Sequence, residues 1–394
     1  MKKYSKVTPE GTRDLLFEEC GIRKKAETIL SDLFAKRGYS EVVTPTIEFL
    51  DVFSVKNPGL RAEQMYKLTD GKGRLITLRP DSTIPIARLV ATRLKNHSLP
   101  IKLFYNQPVF RQNQLLSARS DETVQMGIEI IGSSSRRADL EAIVTAVEAL
   151  NSCNLDDFRL EIGHVGVFNI LIKKLGIDEE QKQEIRQLIE IKNYSELNDL
   201  IDTIDIKGIE ILKVLPRLFG GVEVFDEPKA KELFSDPDIS EILVFLKDIY
   251  KSLETLGLGN KISLDLGVAN SGDYYTGIVF RGYIEGFGEQ VLSGGRYDNL
   301  IAEFGEQMPA TGFGINVDAV AGATKIRLEK KTPKTLVFAE SGYEMKALMY
   351  CKKLDGICEN CVLDDIKLAR DYAELRGIKE LHIISEDVVT EKIL

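Results

Sequence analysis

Apolar positions at the start of the chain follow a helical period. Ile22, Ala26, Ile29, Leu30, Leu33 and Phe34 recur three and four apart, which predicts a helix with one core-facing stripe, ended at Gly38. The period then shortens. Tyr39-Ser40-Glu41-Val42-Val43-Thr44-Pro45 is a β-favouring run whose proline marks a strand end or edge. Met65 to Leu78 reads as a hairpin, with Asp70-Gly71-Lys72-Gly73 turning between Tyr66-Lys67-Leu68 and Leu75-Ile76-Thr77-Leu78. Ser82 to Asn96 and Ala138 to Leu150 are predicted helices, and Leu103 to Arg111 and Thr123 to Ile131 predicted strands. Between those strands, Gln112 to Glu122 is polar and long for a hairpin loop, a length associated with function or disorder.

From about Asp178 to Leu258 the pattern is almost wholly helical, clearest at Glu179 to Ile191, Tyr194 to Ile201 and Ile239 to Leu256. This predicts a helical insertion. Strand character returns at Lys261 to Gly267, Thr276 to Tyr283, Gln290 to Leu292 and Thr311 to Val317, the last leading into a helix. Thr332-Pro333-Lys334 breaks the pattern as a linker. After it, Leu336-Val337-Phe338, a helix over Tyr343 to Leu354, Cys361-Val362-Leu363, a helix over Ile366 to Leu375 and Leu381 to Ile384 alternate as in a small α/β domain. The expected organisation is α+β: a main domain over 1–325 with its insertion at about 178–258, a linker at 326–333, and a C-terminal α/β domain over 334–394.

Composition narrows the function classes. With 394 residues and 43% hydrophobic content the chain can bury a large core. No apolar run follows Lys2, Lys3 and Lys6, and no stretch reaches the length of a membrane span, so a cytoplasmic protein without membrane contact is expected. A net charge of -9 offers no footprint for a polyanion, and nucleic acid is not an expected partner. Five scattered cysteines are too few for a disulfide framework. Cys358 and Cys361 supply two thiolates where a structural zinc site takes four ligands, with only Cys351 and His382 nearby, so no metal and no cofactor is expected. His97 and His164 stand alone without ligand spacing.

Three segments carry the chemistry: Phe104 to Arg111, Asn270-Ser271-Gly272-Asp273-Tyr274-Tyr275-Thr276-Gly277, and Gly312-Phe313-Gly314-Ile315-Asn316-Val317-Asp318-Ala319. Together with Gly38 to Pro45, Leu78-Arg79-Pro80-Asp81-Ser82-Thr83, Gln125, Glu129 and Gly294-Gly295-Arg296-Tyr297-Asp298, they resemble the histidyl branch of class II aminoacyl-tRNA synthetases. The segments occur in that family's order, from roughly Pro9 to Val320. The resemblance implies an antiparallel sheet flanked by helices, with the C-terminal domain a truncated relative of an anticodon-binding domain.

By the same resemblance, Asp81 and Thr83 would hold the α-amino group of a bound histidine, a carboxylate beside a hydroxyl being suited to an ammonium. Gln125 would support that end. Glu129, Tyr275 and Tyr297 would line the imidazole, the carboxylate accepting from a ring N–H and the phenols supplying walls and hydroxyl partners. The plainer alternative is that Tyr275 and Tyr297 are core aromatics and that Gln125 and Glu129 merely share a strand face.

The nucleotide side differs. Arg111 and Arg119 remain as candidate anion-binding residues, but the acidic adenine-reading position is Asn113, and arginines expected at two further positions are Asn270 and Ala319. Amino-acid activation concentrates charge on a phosphate, and losing one preorganised donor costs about a hundredfold to a thousandfold in rate. The last sixty or so residues hold nine Lys/Arg against twelve Asp/Glu, too acidic to grip transfer RNA.

A histidine-binding fold without aminoacylation resembles the regulatory subunits of ATP phosphoribosyltransferase. That family implies a non-catalytic chain that dimerises near Gly38 to Pro45, docks onto a short-form ATP phosphoribosyltransferase catalytic subunit, and contributes to histidine feedback on the first step of histidine biosynthesis. The rival readings are an active histidyl-tRNA synthetase and a free-standing histidine sensor.

Overall fold

The computed structural model describes residues 4–54, 62–113, 120–269, 274–288, 290–328 and 332–393. They form two compact units, Met1–Ile326 and Arg327–Leu394. No helix among the described residues is long and apolar enough to cross a membrane.

The first unit is built on a nine-stranded sheet ordered Ser40–Glu41, Ile101–Phe110, Glu122–Ile131, Ala310–Asn316, Gln290–Arg296, Ile278–Ile284, Phe158–His164, Ile262–Asp265 and Phe219–Gly220. Its central pairings are antiparallel. Only Ser40–Glu41 with Ile101–Phe110, and Phe158–His164 with Ile262–Asp265, run parallel. A separate three-stranded antiparallel sheet joins Ile47–Phe49 to the predicted hairpin, whose arms are Lys67–Thr69 and Leu75–Leu78. Gly73 takes φ +79° in that turn, a conformation open to glycine without steric penalty.

Because successive strand residues face opposite ways, the two sides of the large sheet have different fates. On one side the helices Phe17–Lys36 and Arg136–Ser152 bury their apolar stripes. Phe34 of the first meets Phe104 and Phe313 of the sheet with ring centroids 5.9 and 6.0 Å apart. The other side carries Gln125, Glu129, Gly312 and Gly314; there Leu103, Tyr105 and Ile131 cluster with Ile84, Ile86 and Ala87 of the helix Thr83–Leu89, and a cavity opens over the strands beside them.

Several elements differ from the periodicity. The strand Phe158–His164 lies between predicted elements yet pairs along its whole length with Ile278–Ile284. Phe158, Leu160 and Ile162 alternate inward, a short signal dominated by burial rather than length. The helix expected over Ser82 to Asn96 is α-helical only over Thr83–Leu89 and widens into a π-turn at Val90–Leu94. Tyr39 to Pro45 pairs only at Ser40–Glu41. Within the helical 178–258 segment, Phe219–Gly220 adds an edge strand to the main sheet.

The second unit has a four-stranded sheet ordered Cys358–Asn360, Thr335–Ala339, Glu380–Ile384 and Val388–Lys392, with helices Glu344–Cys351 and Ile366–Arg376. The first three strands are parallel and the last antiparallel. Here the expected strand at Cys361 to Leu363 is displaced to Cys358–Asn360, which puts Leu336 and Val337 opposite Glu359 and Asn360. Cys351, Cys358 and Cys361 are free thiols, the Cys358 sulfur 3.5 Å from the Cys351 carbonyl. His382 faces the Tyr350 hydroxyl at 3.1 Å.

Candidate ligand-binding site

A cavity of about 550 Å3 lies over the Glu129 face of the large sheet. Its floor exists because several positions have no side chain. A Cβ on Gly312 would fall 2.0 Å from Glu129 Oε2, and one on Gly127 would fall 2.0 Å from the Phe313 carbonyl. Paired strand residues share a face, so the pairings Gly127 with Gly314 and Gly314 with Ser293 carry this low floor across three strands.

At one end of the floor stands Glu129, wholly buried. The Thr83 hydroxyl donates to its Oε1 at 2.8 Å, and the Tyr297 hydroxyl donates to Oε2. Burial pushes the carboxyl up to about 8, with Asp81 adding in the same direction, and the two hydroxyl donors offset only part of that rise. Asp81 reaches the site from the turn before the helix Thr83–Leu89, its Oδ1 accepting from the Ile84 N–H at 2.9 Å. Ring contacts join Tyr275 to Tyr274 (4.5 Å between centroids) and Tyr274 to Tyr297 (6.1 Å). Burial raises the Tyr275 phenol to about 12 and the Tyr297 phenol well above its usual value, so both are hydroxyl donors at neutral pH. Asp81, Thr83, Gln125, Glu129, Tyr275 and Tyr297, drawn from separate stretches of sequence, therefore line one cavity.

This end has the character of an amine and ring site. Two carboxyl groups, hydroxyls and aromatic walls converge, and Gln125 Oε1 is a buried acceptor without a partner among the described residues. An unpartnered acceptor in a cavity is satisfied when a donor enters. Tyr274 lines the wall too, and the Tyr105 hydroxyl lies over the floor on the same face as Glu129, within 2.6 to 3.0 Å of where Cβ atoms on Gly127 and Gly314 would lie. Neither is a predicted site residue. Tyr274 had a signal in its place beside Tyr275; Tyr105 had only the alternation with Gln107.

The other candidate residues are arranged differently. Arg111 lines the cavity, but its Nε donates to the Pro80 carbonyl at 2.7 Å and its Nη2 lies 3.8 Å from Asp81 Oδ2. The guanidinium thus leans toward the amine end. Arg119, Asn270 and Asp273 fall outside the described residues. Asn113 spends its side chain on the protein: Nδ2 donates to the Ser120 carbonyl at 3.0 Å and to Asp121 Oδ1 at 3.1 Å, bracing the base of the loop between the two strands. Ala319 is buried in the helix Val317–Ala323, whose first turn is capped by Asn316 Oδ1 accepting from the Ala319 N–H at 3.1 Å. Beside it, Asp318 accepts from the Val124 N–H at 2.7 Å and pairs with Arg23 at 3.3 Å.

Gly314→Ala tests whether the floor must be low. Its Cβ would meet the Gln125 amide at 2.7 Å and the Tyr105 hydroxyl at 3.0 Å, side-chain ends that yield more readily than backbone. The variant is expected to fold, by circular dichroism, and to bind ligand about tenfold more weakly in calorimetry, as expected when about 1.4 kcal/mol is lost.

The fold and the cavity define a class. Residues 11–320 match the family model described as Histidyl-tRNA synthetase, so the first unit is a histidyl-tRNA synthetase-like domain of class II type. At the level of whole chains, the protein is 39% identical to an ATP phosphoribosyltransferase regulatory subunit from Clostridium kluyveri, covering 97% of this chain and 100% of that one. It is 40% identical to a Clostridium botulinum protein of the same description, covering 100% and 97%. A crystal structure described as an ATP phosphoribosyltransferase regulatory subunit/histidyl-tRNA synthetase from Bacillus halodurans superimposes with a TM-score of 0.83 at 28% identity, over 94% of this chain and 97% of that one. The chain belongs to the ATP phosphoribosyltransferase regulatory subunit family.

Proposed function

We propose that this chain is a regulatory subunit of ATP phosphoribosyltransferase, acting in the first step of histidine biosynthesis, and that histidine occupies the Glu129 end of its cavity. The observation that carries the assignment is the end-to-end similarity to regulatory subunits, which includes the small C-terminal unit. The cavity is consistent with it. An amine and ring site is assembled, while Asn113 and Ala319 are committed to loop and helix structure.

In this role the chain performs no aminoacylation. Its own residues bind and orient: Asp81 and Thr83 receive the ammonium, Glu129 and Tyr297 the imidazole, and Arg111, held beside Asp81, the carboxylate. The partner is a short-form catalytic subunit, which condenses ATP with phosphoribosyl pyrophosphate. Feedback follows if histidine binds one state of the assembled complex more tightly than the other, since equal affinity shifts nothing. Self-association is expected along the segment from Gly38 to Pro45 and the small sheet. Val43 is 70% exposed, with Ile47 and Phe49 also open to solvent, an apolar run that a second copy would cover.

Mixing is the decisive experiment. Adding this chain to a short-form catalytic subunit is expected to raise pyrophosphate release, and histidine to lower it again. The chain alone is expected to show no histidine-dependent exchange of pyrophosphate into ATP. Strong exchange, or no effect on the catalytic subunit, defeats the proposal.

A further inference from the structure

The second unit holds three of the chain's five cysteines, and its sheet sorts them onto different faces. Cys358 opens the edge strand Cys358–Asn360 and pairs with Thr335. Paired strand residues share a face and neighbours along a strand alternate, so Cys358 shares its face with Thr335 and Val337. The helix Glu344–Cys351 covers that face: Val337, Ala347 and Ile384 form the buried cluster there, and Cys351 packs against them. Cys361 packs on the opposite face, against Leu336, Phe338, Ala369 and Ala373 under the helix Ile366–Arg376. The sheet thus divides the C-x-x-C pair of the sequence, and the thiol that Cys358 meets is that of Cys351.

Cys351 is the last residue of its helix and Cys358 the first of its strand, with Lys352 to Ile357 looping between them. Gly356, at φ +94°, lets the loop return. The Cys358 thiol donates to the Cys351 carbonyl at 3.5 Å. Burial, with the neighbouring Cys358 adding to it, pushes the Cys351 thiol up to about 11. Both side chains are partly exposed, so a small molecule can reach them. Among the described residues no further ligand joins the two sulfurs to make a metal site. Two thiols held together in this way share one reaction, closure to a disulfide of about 2.05 Å, which side-chain rotation reaches when the backbones are already adjacent.

We propose that Cys351 and Cys358 form a reversible dithiol–disulfide modification site, oxidised by exchange with a small-molecule disulfide, whose oxidised form clasps the helix to the edge strand. A thiolate of the pair attacks one sulfur of the small disulfide, breaking its S–S bond, forming a mixed disulfide and releasing one small thiolate. The second protein thiol, deprotonated, then attacks the protein sulfur of the mixed disulfide and expels the other small thiolate. Each protein thiol gives a proton to solvent and each released thiolate takes one up. The protein loses two electrons and two protons, and the small disulfide gains both as two thiols. Because Cys351 holds its proton tightly, exchange is slow at neutral pH, and its sulfur is a poor leaving group once the bond has formed. The disulfide therefore persists until a strong dithiol reductant is present. Closure also pins the loop that carries the exposed Lys352 and Lys353.

Glutathione disulfide, added to the full chain, is the probe. After alkylation and denaturation, non-reducing tryptic mass mapping is expected to show a Cys351–Cys358 cross-link with Cys361 alkylated, and dithiothreitol is expected to return both thiols. In the native chain, oxidation is expected to slow tryptic cleavage after Lys352 and Lys353 about tenfold, since cleavage tracks the population of the opened loop. Cys361→Ser is expected to leave the cross-link and the slowing unchanged, and Cys358→Ser to abolish both. A Cys358–Cys361 disulfide, mixed disulfides without a cross-link, or two freely alkylated thiols in the wild type overturns the proposal. So does cleavage as fast in the oxidised chain as in the reduced one.

Discussion

Glu129→Gln is expected to abolish the thermal stabilisation that histidine confers, while leaving the ligand-free protein folded. Among the described residues the carboxyl is bonded to the Thr83 and Tyr297 hydroxyls and to no cation. A glutamine offers the two hydroxyl donors one acceptor oxygen in place of two and turns an amide NH2 toward a group that donates, and a buried polar group left unpaired costs about 1–3 kcal/mol. An affinity loss of roughly tenfold to a hundredfold follows. Scanning fluorimetry with and without histidine measures it. Undiminished stabilisation in the variant would place the ligand elsewhere.

The same substitution has a pH signature whose sign is set by burial. In the folded chain the carboxyl holds its proton up to about 8, whereas its ordinary value is 4.5. Between those values the native state binds the extra proton, so this group's contribution to stability falls as pH rises through the window and is fully present below it. Every tenfold difference in proton affinity between the folded and unfolded chain corresponds to about 1.4 kcal/mol. Wild-type melting temperature should therefore decline more steeply from pH 5 to 8 than that of Glu129→Gln. Parallel profiles would show that the carboxylate is stabilised by something other than its two hydroxyl donors.

Replacing Arg296 is expected to have the largest effect on the fold itself. The residue is 8% exposed, and its guanidinium bonds Asp139 through Nε at 3.0 Å and Nη2 at 2.9 Å, Asp298 through Nη1 at 3.0 Å, and the Ser133 carbonyl at 3.0 Å. Asp139 sits in the first turn of the helix Arg136–Ser152, 2% exposed, with its carboxyl raised by burial against the lowering pull of Arg296. Removing one member of such a pair strands the other, at a cost of about 3–5 kcal/mol. Arg296→Met should lower the urea midpoint sharply. Arg296→Met/Asp139→Leu should recover a good part of it, because the Asp139 charge is then no longer left alone. Because Arg296 also anchors the strand end next to Tyr297, the single variant should bind histidine poorly even where it remains folded.

Most of the architecture was legible from local pattern. The stripe from Ile22 to Phe34, the Asp70 to Gly73 turn and the alternation of the central strands are short-range consequences of helix and strand geometry. The weak points were elements whose formation depends on partners. Phe158–His164 is held between two strands distant in sequence, and Phe219–Gly220 exists only as an edge added to Ile262–Asp265. In the second unit, pairing with Thr335–Ala339 selected Cys358–Asn360 over the more apolar Cys361 to Leu363. Propensity ranked those segments in the wrong order because a parallel strand is chosen by its neighbours.

Residue types and their order along the chain determined by themselves that this is an α+β, histidyl-tRNA synthetase-like protein with six candidate ligand contacts. Tertiary structure decided what those contacts could become. Only the pairing of strands brings Glu129 beside Gly312 and opens a floor, and only burial in the folded chain, with Asp81 nearby, gives that carboxyl its raised affinity for a proton. The orientation of Arg111 toward Pro80 and Asp81 and the use of Asn113 as a loop brace likewise appear in no linear motif. Desolvation and hydrogen-bond direction are properties of a three-dimensional neighbourhood, and a one-dimensional pattern names the groups without stating what surrounds them.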